Sequence, residues 1–378
     1  MKYILSALFF SFLVSPLLHS SGRRSPEEKI RVAFLRGEQR IHLKSSSGFE
    51  AFDINTSKKE YFESETNFVL TPHDKGIMIG RRSKKGPEIR LVPGDENDFL
   101  RVNGRRYRDA VVIINTPSGL KAVNEVGIEN YLKGVLPMEV SPRWPFEALK
   151  VQAIASRTYA INNRGKFGER GYDLSADIFS QVYGGVEAED PRSNRAVRQS
   201  RGEVIFYENK MSRTYFHSSC GGHTEDINSV WNSNIAYLQG VYCPYCSDSP
   251  RRTWKLELSP QRISAYLNAA GHDTGEIKSI NLLKRTGSGR VESMEIVNSS
   301  GRLEMSGHVF RMALGPNLIR SALFTISKSE DPFTFYGRGW GHGVGICQWG
   351  SRGMALKGKR AKEIIEYYMP GARIRKLY

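Results

Sequence analysis

The chain has 378 residues, 39% apolar and 25% charged. That is the balance of an ordinary globular protein and excludes a disordered one. Fifty-five Lys and Arg against 39 Asp and Glu give a formal charge of +16 at pH 7, a surplus that points to anionic polymers as partners.

The N-terminus reads "MKYILSALFFSFLVSPLLHSSG": one lysine, an apolar run from Tyr3 to Leu18, then small residues from Ser20 to Gly22. This is the layout of a secretory signal, assigned to residues 1–21. The mature protein is expected outside the cytoplasmic membrane, in the periplasm or cell envelope; left uncleaved, the run would anchor it. Export argues against nucleic acid, the usual partner of such a charge, and leaves cell-wall glycan, teichoic acid or lipid headgroups. No later segment is apolar enough to span a bilayer. About 355 residues remain, enough for one large domain or two smaller ones.

Residues 22–104 read as β-rich. Short alternating runs such as "IRVAFLR" and "IMIG" are separated by turn clusters such as "KKGP" and "VPGDEND". The remainder, 105–378, mixes helices and strands. A short helix is expected from Ile128 to Val135, stopped by Pro137, which leaves Met138, Glu139 and Val140 in a bend. A carboxylate between apolar neighbours and two prolines is a candidate for a raised pKa. Pro145 then opens the strongest helix signal, "PFEALKVQAIASRTYAINN". On its wheel Arg157 falls beside Leu149, Ala153, Ser156 and Ala160, out of place unless something anionic meets it. The chain closes with a glycine-rich loop, "FYGRGWGHGVGICQWG", and two helices. The loop lacks the lysine of a phosphate-binding P-loop.

The blocks "NYLKGVLPMEVSPRWPFEALKVQAIASRTYA", "DIFSQVYGG", "FHSSCGGHTED", "RGWGHGVGICQWGSRGMA" and "YYMPGA" stand in the order of the SpoIID/LytB family of bacterial cell-wall proteins, which the chain resembles over residues 105 to 375. The resemblance implies an α+β fold: a β-rich N-terminal part, then a mixed α/β SpoIID-type catalytic domain with a long groove. It also implies action on peptidoglycan glycan strands. Sporulation-type members are lytic transglycosylases that cleave between N-acetylmuramic acid and N-acetylglucosamine; amidase-enhancer members assist a separate cell-wall amidase. Carried over by motif, the catalytic glutamate falls on Glu139 and the helix arginine on Arg157, expected to bind substrate. Gln181, Tyr183, His342 and Gln348 are implied groove residues, with Tyr183 and Trp340 available to stack on sugars. Cys347 departs from the family, which has a small hydroxyl residue there.

The chemistry suits one carboxyl group. Glycosidic cleavage needs an acid on the leaving oxygen. A lytic transglycosylase needs no second carboxylate for water, because the muramic acid 6-hydroxyl attacks its own anomeric carbon and one glutamate serves as acid, then base. Asp177 is the first alternative should a second acid exist. A basic groove would favour strands stripped of peptides, whose lactyl carboxylates are free.

His217, Cys220 and His223 precede "YCPYC", with Cys243 and Cys246. A deaminase zinc motif needs its proline before the cysteine pair. A glutaredoxin motif needs a helix that Pro250 opposes. The expectation is a structural zinc held by His217, Cys220, Cys243 and Cys246, with His223 the rival ligand; a Cys243–Cys246 disulfide is the alternative in an oxidising compartment. Cys347 reads as a free, buried thiol.

Overall fold

A computed structural model describes residues 28–64, 67–74, 76–81, 83–327 and 331–378. The signal-peptide reading, residues 1–21, lies outside the described residues. The fold is α+β, as expected, with a β-rich N-terminal part. Among the described residues no helix is long and apolar enough to cross a membrane.

Two sheets of seven and six strands share the first core. Alternation builds them: in "EIRLVP" Ile89, Leu91 and Pro93 are buried and their neighbours less so. Strand Lys29–Glu38 pairs antiparallel with Gly119–Gly127, from Lys29↔Gly127 to Glu38↔Leu120. The sequence boundary at 104/105 falls in a hairpin. Leu100–Val102 pairs with Arg105–Tyr107, and Asn103 and Gly104 both take positive φ at the turn. The N-terminal strands therefore belong to the same core as the helices that follow.

Those helices are α1, Ile128–Glu139, and α2, Phe146–Asn162. The expected end of α1 at Val135 is wrong: the helix runs through Pro137 to Glu139. A proline here forfeits only the bond to the Lys133 carbonyl one turn back, and its φ is already helical. Val140 N–H still reaches Leu136 O at 3.1 Å. Glu139 thus sits on the last turn of a helix and not in a free bend.

Helix α2 is apolar on nearly every side because it lies between two cores. Leu149, Ala153 and Ala160 face the first; Val151, Ile154 and Ala155 face a second, with the four cysteines, Ile346, Met354 and Ile364. A third core, between Trp254 and Phe335, fills a unit of two three-stranded sheets and the helices Pro260–Ala269 and Gly307–Leu314.

Candidate active site

A cavity of about 690 Å³ opens where α1 ends, the third unit begins and the glycine-rich loop returns. Its walls include Met138, Glu139, Val182, His217, Trp231, Arg251, Trp340, His342 and Gln348. Glu139 is the sole carboxylate among the described lining residues, whereas Lys166, Arg251 and Arg311 make that lining basic.

Glu139 is half-buried. Its Oε1 accepts from Val182 N–H at 3.3 Å and its Oε2 from Gln348 Nε2 at 3.5 Å. Burial pushes its pKa from 4.5 up to about 6, outweighing those two hydrogen bonds, which favour the charged form. Gln348 also donates to Gln152 Oε1 at 3.3 Å, and Gln152 donates to Ser156 Oγ at 3.1 Å. A chain of amides rooted in α2 thereby sets the carboxyl group. Gln348 is the first residue of the helix Gln348–Leu356, which brings it 209 positions along the chain to Glu139.

His217 and His342 stand on the same wall, their ring centroids 5.6 Å apart. The His342 ring is saturated: Nε2 donates to Phe216 O at 3.0 Å and Nδ1 accepts from Val344 N–H at 3.1 Å. His217 is different. Its Nδ1 lies 3.1 Å from Val344 O, and a carbonyl only accepts, so Nδ1 carries the proton. That leaves Nε2 a lone-pair acceptor, buried and without a partner among the described residues. Burial, with the Arg290 charge nearby, keeps the ring neutral, its pKa pushed down to about 3.

Three expected groove residues lie elsewhere. Arg157 is 0% exposed and makes a bidentate pair with Glu129, both contacts 2.8 Å, plus a bond to Glu203 O at 3.0 Å. The anion its position demands is a protein carboxylate and not substrate. Tyr183 is buried against Tyr131 and donates to Asn124 Oδ1 at 2.7 Å, so no sugar can stack on it. Gln181 is fully buried behind the wall and accepts from Tyr131 OH at 3.1 Å. Asp177 caps its own loop through Ser175 Oγ and Phe179 N–H and is absent from the lining. Trp340 does line the cavity, with the Arg251 and Arg320 guanidinium carbons 4.2 and 4.7 Å from its ring centroid.

The residues that could hold a metal differ from the expected set. Cys220, Cys243, Cys246 and Cys347 bring their sulfurs within 4.8 Å of one another, all buried. Neither ring nitrogen of His217 belongs to this cluster, and its Nδ1 faces Val344 O. His223 also stands outside the cluster, its Nδ1 2.6 Å from Thr224 O. Cys347 is a free, buried thiol, as expected, and it stands beside the other three cysteines. Strand Phe216–His217 pairs in parallel with Ile346–Cys347, His217 opposite Cys347, and this register delivers the Cys347 sulfur to the other three.

Sequence reasoning missed the apolar rim. Ile178 (65% exposed), Phe179 (70%), Met138 and Met312 all line the cavity with large exposed surface. Trp231 joins them, packed 4.7 Å from Tyr215 and 4.9 Å from His342. In the "DIFSQVYGG" block the sequence points to Gln181 and Tyr183, and only the exposure of Ile178 and Phe179 in the fold marks its first residues as a contact surface.

This architecture is that of a basic cleft with one raised carboxyl group, and the comparisons agree with the family the motifs indicated. The SpoIID family, described as stage II sporulation protein, matches residues 116–207, a span that carries Glu139 and Arg157; a domain of unknown function (DUF8618) matches residues 247–345. An uncharacterised protein of Brachyspira hyodysenteriae is 36% identical over 89% of this chain and 92% of its own length. A stage II sporulation protein D of Bacillus amyloliquefaciens is 30% identical over 67% of this chain and 75% of its own. The amidase enhancer of Bacillus subtilis is 30% identical over 64% of this chain, which spans 39% of that longer protein. The chain belongs to the SpoIID family.

Proposed function

We propose that this protein acts on the cell wall outside the cytoplasmic membrane, as a lytic transglycosylase of peptidoglycan glycan strands with Glu139 as its sole acid and base. The observation that carries this reading is the single carboxylate among the described lining residues of the cavity, raised to about 6 by burial and steered by Gln348. Protonated Glu139 donates to the oxygen linking muramic acid C1 to the next sugar, and that C1–O bond breaks with the electron pair leaving on oxygen. The muramic acid 6-hydroxyl then bonds to C1 and returns its proton to the Glu139 carboxylate, closing a 1,6-anhydro ring without water. Lys166, Arg251 and Arg311 favour glycan whose lactyl carboxylates have been freed of peptides.

The relative named amidase enhancer supports one other reading, a non-catalytic glycan-binding helper of a cell-wall amidase. Mass analysis of products from purified, stem-peptide-free glycan separates the two. Anhydro-muramic ends are expected. Reducing ends would mean a hydrolase, and bound but uncut strands would mean the enhancer.

A further inference from the structure

We infer that Cys220, Cys243, Cys246 and Cys347 form a tetrathiolate site for zinc, and that this ion clamps the back of the candidate active site. The inference is independent of the glycan reading.

The sulfur geometry is that of a metal site. Cys220 and Cys246 Sγ are 3.5 Å apart, and the four atoms lie mutually within 4.8 Å. A zinc tetrahedron with Zn–S near 2.3 Å sets sulfurs about 3.8 Å apart, whereas a disulfide needs about 2.05 Å. The surroundings favour thiolates. Cys347 Sγ accepts N–H bonds from Cys220 and Gly350, each at 3.3 Å; Cys220 Sγ accepts one from Gly222 at 3.5 Å; the Tyr368 hydroxyl lies 3.1 Å from Cys243 Sγ. Donation from a sulfur to a carbonyl, Cys246 to Cys243 O or Cys347 to Ser218 O, is long at 3.9 Å. Backbone donors of this kind are the outer shell that holds metal thiolates. Buried Arg290 adds a positive charge beside the site, its Nη2 2.7 Å from Cys220 O. Loading zinc displaces the four thiol protons and leaves a dianion, which that charge and those donors offset.

The ligands come from three separate places: Cys220 just after the strand bearing His217, Cys243 and Cys246 around the turn Pro244–Cys246, and Cys347 capping the Gln348–Leu356 helix. The ion would therefore lock the parallel pair that presents His217 and Gln348 to the cavity. A sulfur-only set also selects zinc or iron over calcium or magnesium.

The test is metal analysis of the full mature chain purified without added metal, with thermal unfolding before and after chelation. About one zinc per chain is expected, with a large fall in Tm on removal. His217→Ala should keep its zinc and Cys347→Ala should lose most of it. Should Cys347→Ala fail to fold, cobalt exchanged into the wild-type protein should give the visible absorption of a tetrahedral tetrathiolate. Metal-free protein with mapped disulfides among these cysteines would overturn the site. So would iron in place of zinc, zinc lost from His217→Ala but retained in Cys347→Ala, or a cobalt spectrum lacking thiolate bands.

Discussion

Arg157 and Glu129 face each other through two 2.8 Å contacts in a fully buried pair, joining α2 to the first turn of α1. Glu129 also accepts from Gly202 N–H at 3.2 Å and from the Tyr378 hydroxyl, so the pair ties the C-terminal residue to the helix that ends in Glu139. The Glu129 carboxyl is held below its usual range: the Arg157 hydrogen bonds and charge, with the other donors, overcome the opposing effect of burial.

Arg157→Ala should therefore act on stability. Removing one partner strands a buried charge and should cost about 3–5 kcal/mol. Denaturant unfolding checks this. A variant of wild-type stability that bound glycan weakly, and most weakly at low salt, would return Arg157 to the groove.

Glu139→Gln keeps the shape and removes the proton. Loss of cleavage by about 10²- to 10⁴-fold is expected, with binding of stripped glycan nearly unchanged in a pull-down. Cleavage at the wild-type rate would remove Glu139 from the chemistry.

Acidity gives a further prediction. Burial raises the folded Glu139 carboxyl above its ordinary 4.5 to about 6, so between these values the folded chain keeps a proton the unfolded chain has lost. Its contribution to stability is present below 4.5 and is lost as pH rises through about 6. Turnover should likewise fall above pH 6, where the acid form is depleted. Glu139→Gln should be more stable than wild type above that pH, a comparison read from Tm against pH. Equal pH profiles of Tm for the two proteins would contradict the buried-acid assignment.

His217→Ala should lower stability by about 1–3 kcal/mol, because a buried ring and its hydrogen bond are lost while Val344 O is left without that partner. Denaturant unfolding checks this, and zinc content should be unchanged, because the ring nitrogens lie outside the cysteine cluster. A collapse of Tm with zinc loss would instead make His217 part of the metal site.

The sequence by itself placed the starts of α1 and α2 and Glu139 at an apolar boundary, though not the end of α1, because these depend on propensity and periodicity within a few residues. It also showed that Arg157 needs an anion, since a charge among the apolar residues of α2 cannot be left unpaired. Which anion was decided by the fold: Glu129 is 28 positions away, and nothing local distinguishes it from Glu139 or from a sugar carboxylate. Cys347 read as a departure from the family and His217 as a ligand because the parallel register of Phe216–His217 with Ile346–Cys347 joins segments 127 or more residues apart. Spacing reveals a ligand pair such as Cys243 and Cys246, where one turn holds both. It is silent on ligands delivered by separate strands, because chain direction and register there are fixed only when the cores on either side of α2 have packed.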